Sequence, residues 1–369
     1  MLPDPFAATI RGITDSDLVR PALRAAGPLV EVAAPAGGKA WIVTEEELAR
    51  EVLSDPRIAK DPAHAPWDPA VAGLEQTAAE QPSLTTLDGP DHAQLRRAHA
   101  PLLSAKRIQA QSGRIHEIAR ELLTDLGGEA DLMDGFSTRF PLTVLLDLLG
   151  IPLGLLDDAV DACRRMSDPE PGAQGKAIAA IAGLAAAGLT PDRHGLAAEL
   201  RERVPPGTSD DDLRYHLFSL IFAGQLTTDA SLGFLVARLL HGDTAPVDDL
   251  VRETLRVHPP APFTLWRFTT TEIDLAGVRL PAGAPVLVDI QGINTDPARK
   301  PGQDLAFGAG PHFCVGAQLA QLELRAAATV LREDFPRARL AVPYAELRQT
   351  FLGGIQGTRL TSLPILLNG

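Results

Sequence analysis

Ten residues near the C-terminus, FGAGPHFCVG (307–316), constrain this chain more than any other stretch. They place three glycines and a proline around one cysteine, then run directly into an apolar-periodic segment, AQLAQLELRAAATVLREDF. Glycine enters backbone conformations closed to other residues and leaves room where a Cβ would collide, while proline stiffens the chain. Residues 307–313 therefore read as a rigid loop, with Cys314 at the mouth of a helix. Free N–H groups and the helix dipole favour a thiolate at that position. The other cysteine, Cys163 in DAVDACRRM, reads as a small apolar residue on a helix.

No second cysteine or histidine lies at zinc-ligand spacing from Cys314, and no C-x-x-C-H is present. A single thiolate ligand or a nucleophile remains. With 369 residues, 45% of them hydrophobic, the chain can bury a large core. Length alone suggests two domains. A net charge of −13 argues against nucleic-acid binding. The opening MLPDPFAATIRG has neither a basic nor an apolar leader region, and AIAAIAGLAAAGL is too short to span a bilayer. A cytoplasmic protein with no membrane segment is expected.

Helical periodicity broken by Pro and Gly dominates the rest. TEEELAREVLSDPRI carries a capping-box pattern, Thr44 with Glu47 three residues on, and stops near Pro56. Residues 102–256 read as almost wholly helical, with a loop at SDPEPGAQG (167–175). PLVEVAA, KAWIVT, IDLAGVRLPAGAPVLVDI and LPILL read as short strands of a minor sheet. VRLPAGAPVLV suggests a hairpin turning at Pro281, Gly283 and Pro285. The expected fold is mainly α with a small β region.

Four stretches, in order, carry a resemblance: LDGPDHAQLRR (87–97), AGQLTT (223–228) inside an apolar helix at about 211–240, ETLR (253–256) followed by VHPPAP, and the cysteine loop at 307–316. Together they resemble the soluble bacterial cytochromes P-450, from about Asp55 to Leu367. F-x-x-G-x-H-x-C-x-G is a specific signal; E-x-x-R alone is common on helices. The resemblance implies a P-450 fold, haem b as cofactor, dioxygen as co-substrate and Cys314 as the iron ligand; thiolate ligation is a general property of this class. It assigns His92, Arg96, Arg267 and His312 to the haem propionates, and Phe307, Gly308, Gly316 and Ala223 to the surroundings of the macrocycle. Glu253 and Arg256 become structural. Because these contacts run from residue 92 to residue 316, residues 1–369 are expected to form one domain. A ferredoxin-type redox partner and a monomer are also implied.

Two departures matter. Only ARKPGQDLA separates NTDP (294–297) from the cysteine loop, so the meander usual in the family is cut short. Arg299 becomes the candidate for the arginine that completes the Glu–Arg pair. The second departure is in the distal helix, usually A-G-x-[DE]-T-T. Leu226 replaces the acid, leaving Thr227, with Gln225 able to order a water and Asp229 one turn on. The expected function is oxidation of a small molecule or peptide intermediate in bacterial specialised (natural product) metabolism, with Thr227 and Gln225 as catalytic residues. Hydroxylation or epoxidation is one outcome, and oxidative cross-linking of aromatic side chains in a peptide is the other. A catalytically silent haem-binding scaffold and a cysteine-nucleophile hydrolase are the readings from other classes. The substrate pocket is expected from residues 60–84, from the helix around Phe222 and Ala223, and from APFTLW and LGGIQG.

Overall fold

The computed structural model describes residues 2–35, 37–60, 64, 81–166, 170, 172–190, 194–351, 353–355 and 357–368. The chain organises into two compact units, one of residues 1–94, 255–314 and 350–358, the other of 95–254, 315–349 and 359–369.

The first unit is built on a five-stranded sheet in the order Leu29–Ala33, Lys39–Val43, Pro285–Val288, Arg267–Thr269, Ile58–Ala59. Lys39–Val43 and Pro285–Val288 run parallel, and every other pairing is antiparallel. All four residues of the central Pro285–Val288 strand are buried, as a strand covered on both faces requires. Alternation divides the core in two. Trp41, Val43, Val286 and Val288 pack with Leu48, Val52 and Ile58, whereas Ala40, Ile42 and Leu287 pack with Phe6, Phe263 and Phe268.

Two local expectations are corrected here. The helix begins at Glu46 and ends at Val52, with Glu45 at the N-cap, its carboxylate accepting from the N–H groups of Glu47 and Leu48. Thr44 donates its hydroxyl to the Gly27 carbonyl at 2.6 Å, so a contact distant in sequence takes it out of capping. The hairpin joins Ile273–Leu275 to Val278–Leu280 and turns at Ala276 and Gly277, both at positive φ (52° and 77°). That geometry matches the right-handed strand twist, and the Asp274 carboxylate, accepting from Gly277 N–H, braces it. Residues 281–284 instead carry the chain from this hairpin into the larger sheet.

The second unit is helical. Its long helix, Asp210–Leu240, starts at a capping box: Ser209 and Asp212 satisfy each other's backbone N–H groups. Three aspartates in the first turn complement the helix dipole. The helix packs against Arg139–Leu149, Ala173–Gly188 and Ala317–Asp334. By length and composition it could cross a bilayer, but 67% of its most apolar window is buried. That is the mark of a core helix apolar on all sides. The expected helical stretch 102–256 is interrupted by the strand Glu129–Asp131 and a π-helical turn at Met133–Ser137. The strand joins Arg339–Leu340 and Pro364–Leu366 in a small sheet, order 339–340, 364–366, 129–131. The expected loop at 167–175 is shorter than its sequence suggests, since the next helix already begins at Ala173; residues 167–169 and 171 lie outside the described residues. The architecture is mainly α with a small β region.

Candidate active site

The cysteine loop takes the rigid form its glycines call for. Gly308 and Gly310 sit at φ +72° and +68°, where an L side chain is strained, and a Cβ on Gly310 would stand 2.6 Å from the Leu53 carbonyl oxygen. Gly308 N–H donates to Leu305 O, and Cys314 N–H donates back to Phe307 O at 2.9 Å. The loop thus closes on itself and leaves Cys314 exposed. The helix Ala317–Asp334 begins three residues later, with Gly316 at its N-cap. Cys163 contrasts with it: burial, then the charge of Asp229, pushes its thiol up to about 12. It lies on the helix Leu156–Arg165, as its sequence context suggests.

Beside this loop the first unit gathers basic side chains. His312 directs Nδ1 at Leu84 O (3.2 Å) and Nε2 at the Asp88 carboxylate (3.1 Å), with its ring 4.0 Å from that of His92. His92 is buried in the helix Gly89–His99; Arg96, half-buried, follows one turn on in the same helix, where the chain already belongs to the second unit. Arg267 is 4% exposed; its Nη1 reaches only a long 3.5 Å contact with Ile58 O, and its Nε has no hydrogen-bond partner among the described residues. Burial pulls Arg267 down to about 10, partly offset by Asp88. Burial also lowers His312, against the pull of its Asp88 hydrogen bond. At Asp88 burial opposes ionisation, but His312, the Lys60 N–H and Arg267 together hold the carboxyl below its ordinary range. Lys60, which opens the stretch expected to line the substrate pocket, is instead buried beside Asp88 and Arg267; the sequence signal for this is a lysine directly after the apolar pair Ile58–Ala59.

In the second unit, Ala223, Leu226 and Thr227 share one face of the long helix, and Leu226 is 38% exposed. Thr227 donates its hydroxyl to Ala223 O at 2.8 Å. Gln225 turns the other way. It is 4% exposed and directs Nε2 at the Asp229 carboxylate (3.4 Å), which also faces Thr138 and Arg359. The structure therefore does not bring Gln225 and Asp229 to the Thr227 face; both belong to a buried polar cluster behind it. Burial raises Asp229 despite Arg359. One residue before Asp229, Thr228 donates to Glu323 Oε2 at 3.1 Å. Glu323 is 1% exposed, and burial lifts its carboxyl to about 8. Glu323 escaped sequence reading, although LELR places one acid within an otherwise apolar helix face.

Arg299 pairs with Glu46 at 2.8 Å, and Arg256 donates to the Asn294 carbonyl. Among the described residues no group of three or more His, Cys, Asp or Glu side chains could hold a metal ion, so Cys314 is not part of a multi-ligand metal cluster there. Most of 60–84 and part of LGGIQG lie outside the described residues. The residues present fit a haem. Its propionates are anionic, and the buried Arg267 has an Nε with no partner among the described residues; a macrocycle needs close backbone approach, and Gly308 provides backbone without a side chain, its Cβ direction open to 3.9 Å.

The sequence profile of the cytochrome P-450 family matches residues 247–299. Over 417 aligned positions the chain is 43% identical to cytochrome P-450 monooxygenase DoxA of Streptomyces sp. strain C5, covering 99% of this chain and 97% of that protein. The alignment is longer than the 369-residue chain, so the relative carries segments lacking here. Vitamin D(3) 25-hydroxylase of Pseudonocardia autotrophica is 31% identical, with 93% of each chain covered. The solved structure of CYP154C4 from Streptomyces sp. W2061 superposes with a TM-score of 0.85 at 28% identity, covering 99% of this chain and 97% of the other. These relatives set aside the hydrolase and silent-scaffold readings. The chain belongs to the cytochrome P-450 family, as a bacterial monooxygenase.

Proposed function

We propose that this monooxygenase hydroxylates an apolar small molecule of bacterial specialised metabolism, with haem b held by Cys314 and electrons delivered by a ferredoxin-type partner. The observation that carries the reading is the presentation of Cys314: an exposed thiol, on a loop closed by its own N–H to Phe307 O, immediately before a helix N-terminus. Relatives named as a monooxygenase and a vitamin D(3) hydroxylase support hydroxylation. On the same reading His92, Arg96, Arg267 and His312 hold the propionates, while Phe307, Gly308, Gly316 and Ala223 border the macrocycle. Residues 1–369 then act as one domain, a cytoplasmic monomer.

Haem, when bound, activates dioxygen with two external electrons and two protons. The chain's own residues must hold the cofactor, keep the thiolate anionic and move the protons. The N-terminal N–H groups of Ala317–Asp334 favour the charged sulfur. Thr227 can pass a proton at Oγ1 once it leaves the Ala223 carbonyl, and Leu226 beside it can carry none. A proton route on this face therefore rests on the threonine with water or a polar group of the substrate. The test is the reduced carbon-monoxide spectrum. Cys163→Ser should keep the red-shifted band of thiolate ligation and Cys314→Ser should lose it; retention in Cys314→Ser refutes the assignment.

A second reading, coupling of aromatic rings within a peptide, draws on the exposure of Leu226 where relatives of the motif carry an acid. Product analysis separates the two. A wild type yielding only mono-oxygenated product, with better electron coupling in Leu226→Glu, removes the coupling reading. Loss of a cross-linked product in Leu226→Glu, with little change in Thr227→Ala, favours it.

A further inference from the structure

The short strand Ile58–Ala59 pairs antiparallel with Arg267–Thr269, Ile58 opposite Thr269 and Ala59 opposite Phe268. One step further this register sets Lys60 opposite Arg267. Directly opposed side chains lie on the same face, with Cβ atoms about 5 Å apart, and like charges there repel. Neither cation has escaped to water: Lys60 is 7% exposed and Arg267 4%. Among the described residues the ionised group facing both with opposite charge is Asp88, which is already engaged by His312 Nε2 at 3.1 Å and by the Lys60 backbone N–H at 2.5 Å. A buried like-charge pair sharing one engaged carboxylate is unfavourable unless a further anion joins it. Burial first, and then the charge of Arg267, push the Lys60 ammonium far below its ordinary range.

We propose that Lys60 is a haem-propionate ligand, acting with Arg267 so that one carboxylate of the cofactor neutralises the pair. This rests on the haem reading above and adds a residue that no motif in the sequence indicated. The buried Arg267 Nε, without a hydrogen-bond partner among the described residues, supplies a second donor for the same anion. Asp88 then sets the charge balance: it offsets one cation, and the propionate offsets the other. His312, hydrogen-bonded to Asp88, lies with its ring 4.0 Å from that of His92 and tilted 32° to it, and these two side chains border the same cluster.

The test uses the full-length haem-loaded protein and two cofactors, haem and haem dimethyl ester, whose propionates are esterified and carry no charge. The readout is the rate of transfer to excess apo-globin, with the thermal midpoint of the haem-free chain measured alongside. Wild type should release the diester at least about tenfold faster than haem, the scale of a lost charge-assisted contact. Lys60→Met should release haem about tenfold faster than wild type and distinguish haem from its diester much less, while Lys60→Arg should stay near wild type. The haem-free Lys60→Met chain should melt no lower than wild type, because a buried cation facing Arg267 has been removed. A merely structural lysine predicts the reverse: a lower apo midpoint and an unchanged haem-to-diester ratio. That ratio, or wild-type haem release in Lys60→Met, overturns the proposal. Should Lys60→Met fail to fold, Lys60→Gln is read by the same ratio. The carbon-monoxide band of Cys314→Ser reports separately on thiolate ligation, so failure of that assignment is not confused with failure of this one.

Discussion

Replacing Glu323 by glutamine should change the pH dependence of stability in a direction the structure specifies. The Glu323 carboxyl is 1% exposed; Oε2 accepts from Thr228 at 3.1 Å, and Oε1 has no partner among the described residues. Burial lifts it from 4.5 to about 8. Its folded pKa lies above the unfolded one, so its contribution to stability is fully present below pH 4.5 and is lost as pH rises towards 8. Each unit of separation corresponds to about 1.4 kcal/mol. Across the whole interval the group therefore withdraws several kcal/mol, a large share of a typical domain's stability. Glutamine keeps the shape and an acceptor for Thr228 but cannot ionise. The assay is urea unfolding of the haem-loaded chain, wild type against Glu323→Gln, in steps from pH 5 to 9. The variant should gain on wild type progressively, approaching about 1.4 kcal/mol per pH unit once the unfolded carboxyl is ionised. A constant difference across that range would refute the buried-acid assignment.

Three further outcomes follow from single contacts. His216, which burial and then His99 depress from 6.5 to about 4, stabilises the fold above pH 6.5 and ceases to do so as pH falls through 4; His216→Phe should flatten the acid limb of the same unfolding series, and parallel limbs would contradict this. Gly310→Ala adds a Cβ 2.6 Å from a backbone oxygen at φ +68°, where left-handed strain alone costs about 1–2 kcal/mol; haem absorbance per protein and thermal midpoint should both fall, and normal haem loading would show a looser loop. Arg359→Met leaves the buried Asp229 without its cation. Removing one partner of a buried pair costs about 3–5 kcal/mol, but Arg359 is 35% exposed and its contacts are 3.3–3.4 Å, so about 1–3 kcal/mol is expected. Adding Asp229→Asn should recover most of it, as read by denaturant midpoints.

What could be read from the sequence was carried by local chemistry. The glycines around Cys314 announce backbone conformations that need no knowledge of distant residues, and the structure finds Gly308 and Gly310 in them. The long distal helix fell within a residue of its expected limits because a 31-residue run of helix-compatible residues is hard to interpret otherwise. The same 3.6-residue period places Ala223, Leu226 and Thr227 on one face and turns Gln225 away from them. Other features were settled by partners far along the chain. Thr44 forgoes capping because Gly27 O is within reach, seventeen residues away. The hairpin turns at Ala276–Gly277 because the strand after Gly283 is claimed by Lys39–Val43 and Arg267–Thr269. Lys60 meets Arg267, and Thr228 meets Glu323, only through pairings that span 207 and 95 residues. Burial sets the charge state of such groups, and burial depends on the packing of the whole unit. The family and the backbone of the cysteine loop were therefore legible in one dimension, whereas the buried charges were decided in three.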